Sequence, residues 1–249
     1  MIVVTFLPHI SRARFILEHC FDGELIMIAS PADLPPWRWA SEYVYQTAGF
    51  VKAELEPGGA EGRTMRRNRA FLIRCARVWA YPLWWLGTHS DAADDIAEDV
   101  DWWMRCIGDD DLLRLDHYSR FAYLSGALTE FRTLVHFRLR SVPLLLRTVL
   151  RAVYRPAPAL TLEADRIGPG LFIQHGVGTI VTAEAIGRHC WINQQVTIGH
   201  DAHGRPTLGD DVRVGAGAVV IGPVTLHDGA VVGANATVIH DVPAGRTVV

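Results

Sequence analysis

An aliphatic residue recurs at every sixth position in the C-terminal part of the chain, and this spacing constrains the fold most. The repeated positions are Leu208, Val214, Val220, Leu226, Val232 and Val238. Repetition at a fixed period predicts a repeat architecture. A six-residue unit supplies one short strand and one tight corner, so three units close a triangular coil with the aliphatic side chains inside. Stacked coils bury a continuous aliphatic column between neighbours.

The same spacing extends upstream with a one-residue offset. Four isoleucines keep the step of six: Ile180, Ile186, Ile192 and Ile198. Ile167 and Ile173 continue it after an offset near Gly178, which we interpret as a bulge or a widened corner. An antiparallel sandwich would not require so many aliphatic residues in one frame. The sequence therefore predicts a parallel, left-handed β-helix over residues 159–249.

The preceding residues follow a helical period instead. Apolar residues separated by steps of three and four are Phe121, Leu124, Leu128, Phe131 and Val135. These steps place them on one face of a helix. Ser90 is predicted to cap the helix that precedes this face and Gly108 to end it, while Pro143 should break or kink the helix that follows.

The helical period ends near residues 154–160, so we expect a mainly α-helical N-terminal domain over residues 1–158. Residues 1–89 are less readable. The segments MIVVTF and ELIMIAS are compatible with strands, but their structure is left open.

Composition excludes several classes of function. A net charge of -3 with 20% charged residues indicates no nucleic-acid partner. The four cysteines, Cys20, Cys75, Cys106 and Cys190, show no metal-ligand spacing, so we expect no metal and a reducing cytoplasm. The start lacks a basic leader and a cleavage site, which argues against secretion. Charges interrupt the apolar stretch 71–86, so a buried helix is favoured over an interfacial one, and no membrane span is expected.

Two stretches carry a resemblance to a known family. GPGLFIQHGVGTIV and CWINQQVTIGH resemble the serine O-acetyltransferase branch of the hexapeptide-repeat acyltransferases over residues 160–249. EFRTLVHFRLR at 130–140 is more weakly similar to the last helix of that family's N-terminal domain. The resemblance implies a homotrimer or a dimer of trimers, with acetyl-CoA as co-substrate in the groove between neighbouring β-helices.

The same resemblance assigns candidate catalytic residues. It places His175 as the general base that removes the proton of an acceptor hydroxyl, a contribution of roughly 10²–10⁴ in rate. The family's acid before this histidine, which contacts the amino group of serine, is replaced by Gln174. The family's second histidine aligns with Arg205, and His203 is a nearby alternative.

The acid that orients the base has no matching position, because the alignment puts Leu160 there. Glu163 is favoured for this role, with Asp165 as the alternative. Between Ile198 and Leu208 four residues must leave the coil as a loop. This loop contributes His200, His203 and Arg205, which we assign to the acceptor pocket together with Gln174.

For the coenzyme, the resemblance points to small residues that allow close approach, namely Gly215, Ala216 and Ala234. Arg213 and Arg246 are the candidate phosphate anchors, although neither matches a motif of the family. The leading hypothesis is O-acetyl transfer from acetyl-CoA to L-serine. One alternative acceptor is a sugar or polysaccharide precursor, and another alternative is a scaffold without catalysis. His189, His227 and His240 lie in no motif and are expected to be surface residues.

Overall fold

The computed structural model describes the backbone of residues 2–6, 26–30 and 62–249, with side chains from residue 71 onward. The chain divides into two compact units, Met1–Ala70 and Phe71–Val249. In the first unit, β1 (Ile2–Phe6) pairs in parallel with β2 (Ile26–Ser30). The described parts of MIVVTF and ELIMIAS, residues 2–6 and 26–30, are therefore strands.

Six α-helices precede the repeats within the described residues. They are α1 (Gly62–Thr88), α2 (Ala93–Ile107), α3 (Asp110–Leu113), α4 (His117–Ala127), α5 (Thr129–Arg138) and α6 (Leu144–Val153). The predicted helical period spans two helices, since Leu128 lies between α4 and α5. The break at Pro143 is confirmed, because this residue directly precedes α6.

Of the two predicted caps of α2, the C-terminal one is correct and the N-terminal one is not. Gly108 ends the helix in the left-handed conformation, at φ 67°, and donates its N–H to the Met104 carbonyl. The expectation for Ser90 was wrong, because Ala92 occupies the N-cap and offers no side-chain bond. The Ser90 hydroxyl instead accepts from the Ala92 N–H in the turn before the helix, at 3.3 Å.

Helix α1 contains the apolar stretch 71–86, which was expected to form a buried helix. This stretch is buried along one face and exposed elsewhere. Ala80 and Leu83 are fully buried, whereas Phe71 and Val78 are 65% and 80% exposed. Among the described helices, none is both long and apolar enough to cross a membrane.

The repeat region forms a parallel β-solenoid, consistent with the predicted left-handed β-helix. Its strands are β3 (Leu160–Ile167), β4 (Phe172–Ile173), β5 (Thr179–Ile186), β6 (Trp191–Ile192), β7 (Thr197–Gly199), β8 (Thr207–Leu208), β9 (Arg213–Val214), β10 (Val219–Ile221), β11 (Thr225–Leu226), β12 (Val231–Val232), β13 (Thr237–Val238) and β14 (Thr247–Val248). Each strand pairs in parallel with a strand one coil away, as Val214 does with Val232. The six repeated aliphatic residues from Leu208 to Val238 are all buried.

One upstream position departs from the predicted frame. Ile180 is 46% exposed, while its neighbour Val181 is fully buried and pairs with Ile198. Because side chains alternate along a strand, a shift of one residue exchanges the inward and outward positions. Val181 follows Ile173 by eight positions, whereas Ile198 follows Ile192 by six. The widened corner near Gly178 is therefore confirmed, and it moves the inward residue by one.

A buried ion pair fastens the helices to the first coil. Arg138 on α5 donates two hydrogen bonds to the Asp99 carboxylate on α2, at 2.8 and 3.0 Å. Arg138 also bonds the Gly168 carbonyl, and Asp99 accepts from the Gly170 N–H at 2.7 Å. Removing one partner of such a pair costs about 3–5 kcal/mol, because the other charge stays buried. This clamp fixes the segment that leads into β4.

Candidate active site

His175 lies in the widened corner between β4 and β5. Its φ is 54°, in the left-handed region that non-glycine residues rarely adopt and in which histidine is several-fold enriched. Ile173, two residues earlier, is buried in the coil, and the next residue, Gly176, is also buried. His175 itself is exposed, and no described residue forms a hydrogen bond with its ring. The imidazole is therefore available to a ligand.

Gln174 is held on both its main chain and its side chain. Its N–H donates to the Ile192 carbonyl at 2.8 Å, which continues the ladder between coils. Its side-chain oxygen accepts a hydrogen bond from the Trp191 indole at 3.2 Å. Gln174 thus places a neutral amide next to His175, and the oxygen of this amide already accepts a hydrogen bond.

The two acids proposed to orient His175 lie elsewhere on the first coil. Glu163 is exposed on β3, three positions after Leu160, or about 10 Å along an extended strand. Leu160, in contrast, packs beside Gly176 at the His175 corner. Glu163 forms no hydrogen bond with His175 within the described chain, and its assigned role stays a prediction.

Asp165 is engaged by the loop that follows β7. Its carboxylate accepts a hydrogen bond from Arg205 at 2.6 Å, which lowers the pKa of Asp165 and raises that of Arg205. The bond from Arg205 therefore links the loop after β7 to β3 in the first coil.

Asp201 organises the loop internally. Its carboxylate accepts from the main-chain N–H groups of His203 at 2.7 Å and Gly204 at 3.1 Å, in the manner of an Asx turn. These bonds lower the pKa of Asp201. The His203 ring is exposed, with Nδ1 3.4 Å from Asp201, and His200 is exposed as well. Within one chain no hydrogen bond joins these loop residues to His175, so their pocket role stays a prediction.

The candidate coenzyme residues stack one coil apart, as their spacing predicts. A methyl group on Gly215 would lie 2.6 Å from the Ala234 nitrogen, so this close approach requires glycine. The Ala216 carbonyl accepts from the Asn235 N–H at 2.9 Å. Among the described residues, none accepts from the N–H of Ala216 or Ala234. Arg213 is exposed, with its guanidinium 5.9 Å from the centre of the Trp191 ring.

A scan against protein families matches residues 205–240 to the model described as bacterial transferase hexapeptide (six repeats). This segment carries hexapeptide repeats. They supply the coils on which the candidate coenzyme residues lie.

Known proteins resemble a longer part of the chain. The serine acetyltransferase of Synechococcus elongatus is 42% identical over 89 residues, which are 34% of this chain and 36% of that protein. The chain thus matches about a third of the length of this relative. The soybean serine acetyltransferase apoenzyme has a similar fold, with a TM-score of 0.52 and 21% identity, over 88% of this chain and 96% of that one. The Neisseria gonorrhoeae serine acetyltransferase in complex with serine gives a TM-score of 0.50 at 24% identity, over 66% and 68% of the two chains.

Sequence reasoning missed two residues that make contacts between the helices and the first coils. His189 was expected on the surface, but its side chain is 23% exposed and bonds Glu98 at 2.7 Å. Its ring also stacks on Trp102, with centroids 4.4 Å apart. The second missed residue is Glu130, which bonds the main chain beside His175 at 3.1 Å. Glu130 opens the stretch that resembles the family's last helix, but nothing in that stretch marks it as a site residue.

The described residues contain no group of three or more histidine, cysteine or acidic side chains placed to hold a metal ion. The three cysteines among them are free thiols. Burial raises the pKa of Cys106 to about 11 and that of Cys190 to about 12, which makes both poor nucleophiles.

Proposed function

We propose that this chain is an acetyl-CoA-dependent O-acetyltransferase whose acceptor is L-serine and whose general base is His175. The observation that carries the proposal is the exposed ring of His175, which bonds none of the described residues and lies on a widened corner with a fixed main chain. The similarity of a third of the chain to serine acetyltransferase from Synechococcus elongatus supports the choice of acceptor.

The proposed chemistry requires one residue that accepts and returns a proton. The neutral imidazole of His175 removes the hydroxyl proton as the acceptor oxygen attacks the thioester carbonyl. The carbon–sulfur bond then breaks, and the imidazolium returns the proton to the departing thiolate. The products are the O-acetyl ester and free coenzyme A.

Acetyl-CoA would lie along the side of the coils that contains Gly215, Ala216 and Ala234. The N–H groups of the two alanines, which no described residue accepts from, suit the amide carbonyls of a pantetheine arm, and Arg213 would contact a phosphate. We further propose that a neighbouring subunit completes this groove in a homotrimer or a dimer of trimers. A cytoplasmic location belongs to the same proposal, which the free thiols of Cys75, Cys106 and Cys190 support.

A second acceptor class is favoured by one observation. Gln174 stands where an acid would pair with the ammonium group of serine, and the Trp191 indole occupies its side-chain oxygen. A neutral amide suits a sugar hydroxyl as well as it suits an amino acid. O-acetylation of a sugar is therefore the competing proposal.

Both proposals are tested by measuring coenzyme A release from acetyl-CoA with a panel of amino acids and sugars. We expect kcat/KM to be highest with L-serine, and Gln174→Asp to raise the preference for L-serine over a neutral sugar. A sugar that outperforms L-serine by tenfold or more, roughly 1.4 kcal/mol, would replace the acceptor. No release with any acceptor would favour the scaffold hypothesis.

The loop histidine can be assessed in the same assay. If His203 assists proton transfer or stabilises charge in the transition state, His203→Ala lowers kcat. If it lines the acceptor pocket together with His200 and Arg205, the variant raises the KM for the acceptor instead.

A further inference from the structure

Glu130 contacts the corner that presents His175, although it belongs to a different layer of the protein. It lies in the first turn of α5, and its Oε1 accepts a hydrogen bond from the Gly176 N–H at 3.1 Å. This N–H belongs to the peptide group that joins His175 to Gly176. The carboxylate therefore fixes the orientation of the peptide plane that directly follows His175.

The packing around Gly176 leaves this corner little freedom. A methyl group on Gly176 would lie 3.0 Å from Cγ of Glu130, 3.2 Å from Ile173 and 3.3 Å from Leu160. The side chain of Glu130 is thus in close contact with the corner along its stem as well as through its carboxylate. A left-handed residue such as His175 persists where its surroundings fix it, since the conformation costs of order 1–3 kcal/mol.

Glu130 is itself held in place by its own helix. Its Oε2 accepts from the Thr129 hydroxyl at 3.1 Å. The next residue, Phe131, is fully buried and packs edge-to-face against Trp103 and Phe121. A negative charge is also favourable in the first turn of a helix. The carboxylate is therefore presented from a rigid support.

The other acids near this corner do not make such a contact. Leu160 takes the position of the family's orienting acid, Glu163 is exposed on β3, and Asp165 bonds Arg205. Among the described residues, Glu130 is the carboxylate that bonds the main chain next to His175. We propose that Glu130 is the positioning residue of His175, which it holds in the orientation needed to act as base. This inference rests on the proposed function.

The test compares two variants with the wild type in the acetyl-transfer assay, and each substrate is titrated to saturation. Glu130→Met keeps the length and the helix propensity but removes the acceptor, and kcat should fall by about 10- to 100-fold, as expected when a catalytic group is misplaced. The KM for acetyl-CoA should stay within about twofold, because the coenzyme residues lie on other coils. Glu130→Gln retains an accepting oxygen and should keep kcat within about threefold of the wild type.

A double-mutant cycle separates positioning from a general structural role. If Glu130 acts through His175, Glu130→Met should lower the residual rate of His175→Ala by less than about twofold. Equal losses in both backgrounds, or a wild-type kcat for Glu130→Met, would overturn the inference. So would a Gln variant as impaired as the Met variant. If Glu130→Met does not fold, judged by circular dichroism, Thr129→Val is its substitute, and the same cycle applies with a smaller loss of kcat.

The cycle also distinguishes this inference from the proposed function. Wild-type turnover in His175→Ala would remove the proposed base, and the role of Glu130 would fall with it. A large loss in His175→Ala combined with a wild-type Glu130→Met would overturn the positioning role alone.

Discussion

Two histidines occupy left-handed corners of the β-helix, and their surroundings are opposite. His175 and His189 share a φ of 54°. The ring of His189 bonds Glu98 and stacks on Trp102, both on α2. The ring of His175 has no partner among the described residues, although the adjoining main chain is bonded by Glu130. The same backbone geometry thus serves attachment at one corner and presentation of a free imidazole at the other.

The difference follows from the chain around each corner. At His189 the next helical layer lies directly against the coil, since a methyl group on the neighbouring Gly170 would meet the His189 ring at 2.5 Å and Trp102 at 3.2 Å. At His175 the chain takes two more positions to reach the next inward residue than it takes from Ile192 to Ile198. Extra length at a corner frees a side chain from the coil, whereas a packed corner immobilises it.

Substitution of His175 should give the largest effect, a loss of turnover, and it tests the contrast between the two corners most directly. His175→Ala should lower kcat by roughly 10²–10⁴, or about 3–5 kcal/mol of transition-state stabilisation. Acetyl-CoA should still bind, because the imidazole is assigned to the acceptor proton. The measurement is kcat with saturating acceptor together with acetyl-CoA titration by calorimetry. His227→Ala, an exposed histidine on a regular coil, is the matched control and should retain wild-type turnover.

At His189 the expected effect of substitution is on stability. His189→Ala removes a hydrogen bond and a stacked ring, so the free energy of unfolding should fall by about 1–3 kcal/mol. His227→Ala should change it by less than about 0.5 kcal/mol, as exposed substitutions usually do. Urea unfolding followed by circular dichroism measures both variants. If His189→Ala unfolds like the wild type, the packed corner does not contribute to stability and the contrast fails.

The sequence predicts the repeated buried positions of this molecule better than the contacts between residues far apart in the chain. The step of six identifies the buried column from Leu208 to Val238, because each repeat buries the same position. It fails at Ile180, since the frame inside an irregular corner depends on how many residues the corner takes. The bonds of Glu130 and His189 join residues 46 and 91 positions apart. Such contacts depend on how helices dock against coils, which no local pattern encodes.

The pH dependence of stability is the smallest expected effect. It shows how much the hydrogen bond between Glu98 and His189 contributes to the packed corner. The hydrogen bond from His189 lowers the pKa of Glu98, with a further contribution from Arg105, and desolvation opposes both. A carboxyl whose pKa is lower in the folded state stabilises the protein above its unfolded pKa. That contribution is lost as the pH falls through the folded pKa. The stabilisation by Glu98 should therefore be fully present at pH 7, begin to fall below the unfolded pKa of about 4.3, and be lost as the pH falls further through the lower folded pKa.

Glu98→Gln tests this prediction, because it keeps an acceptor for His189 but cannot ionise. In urea unfolding, the variant should be less stable than the wild type at pH 7, and the two should converge towards pH 3. Glu184→Gln, an exposed glutamate on β5, is the matched control and should run parallel to the wild type across this range. A difference between Glu98→Gln and the wild type that stays constant from pH 7 to pH 3 would show that the ionised carboxylate does not hold the His189 corner. The stacking of His189 on Trp102 would then be its main attachment to α2.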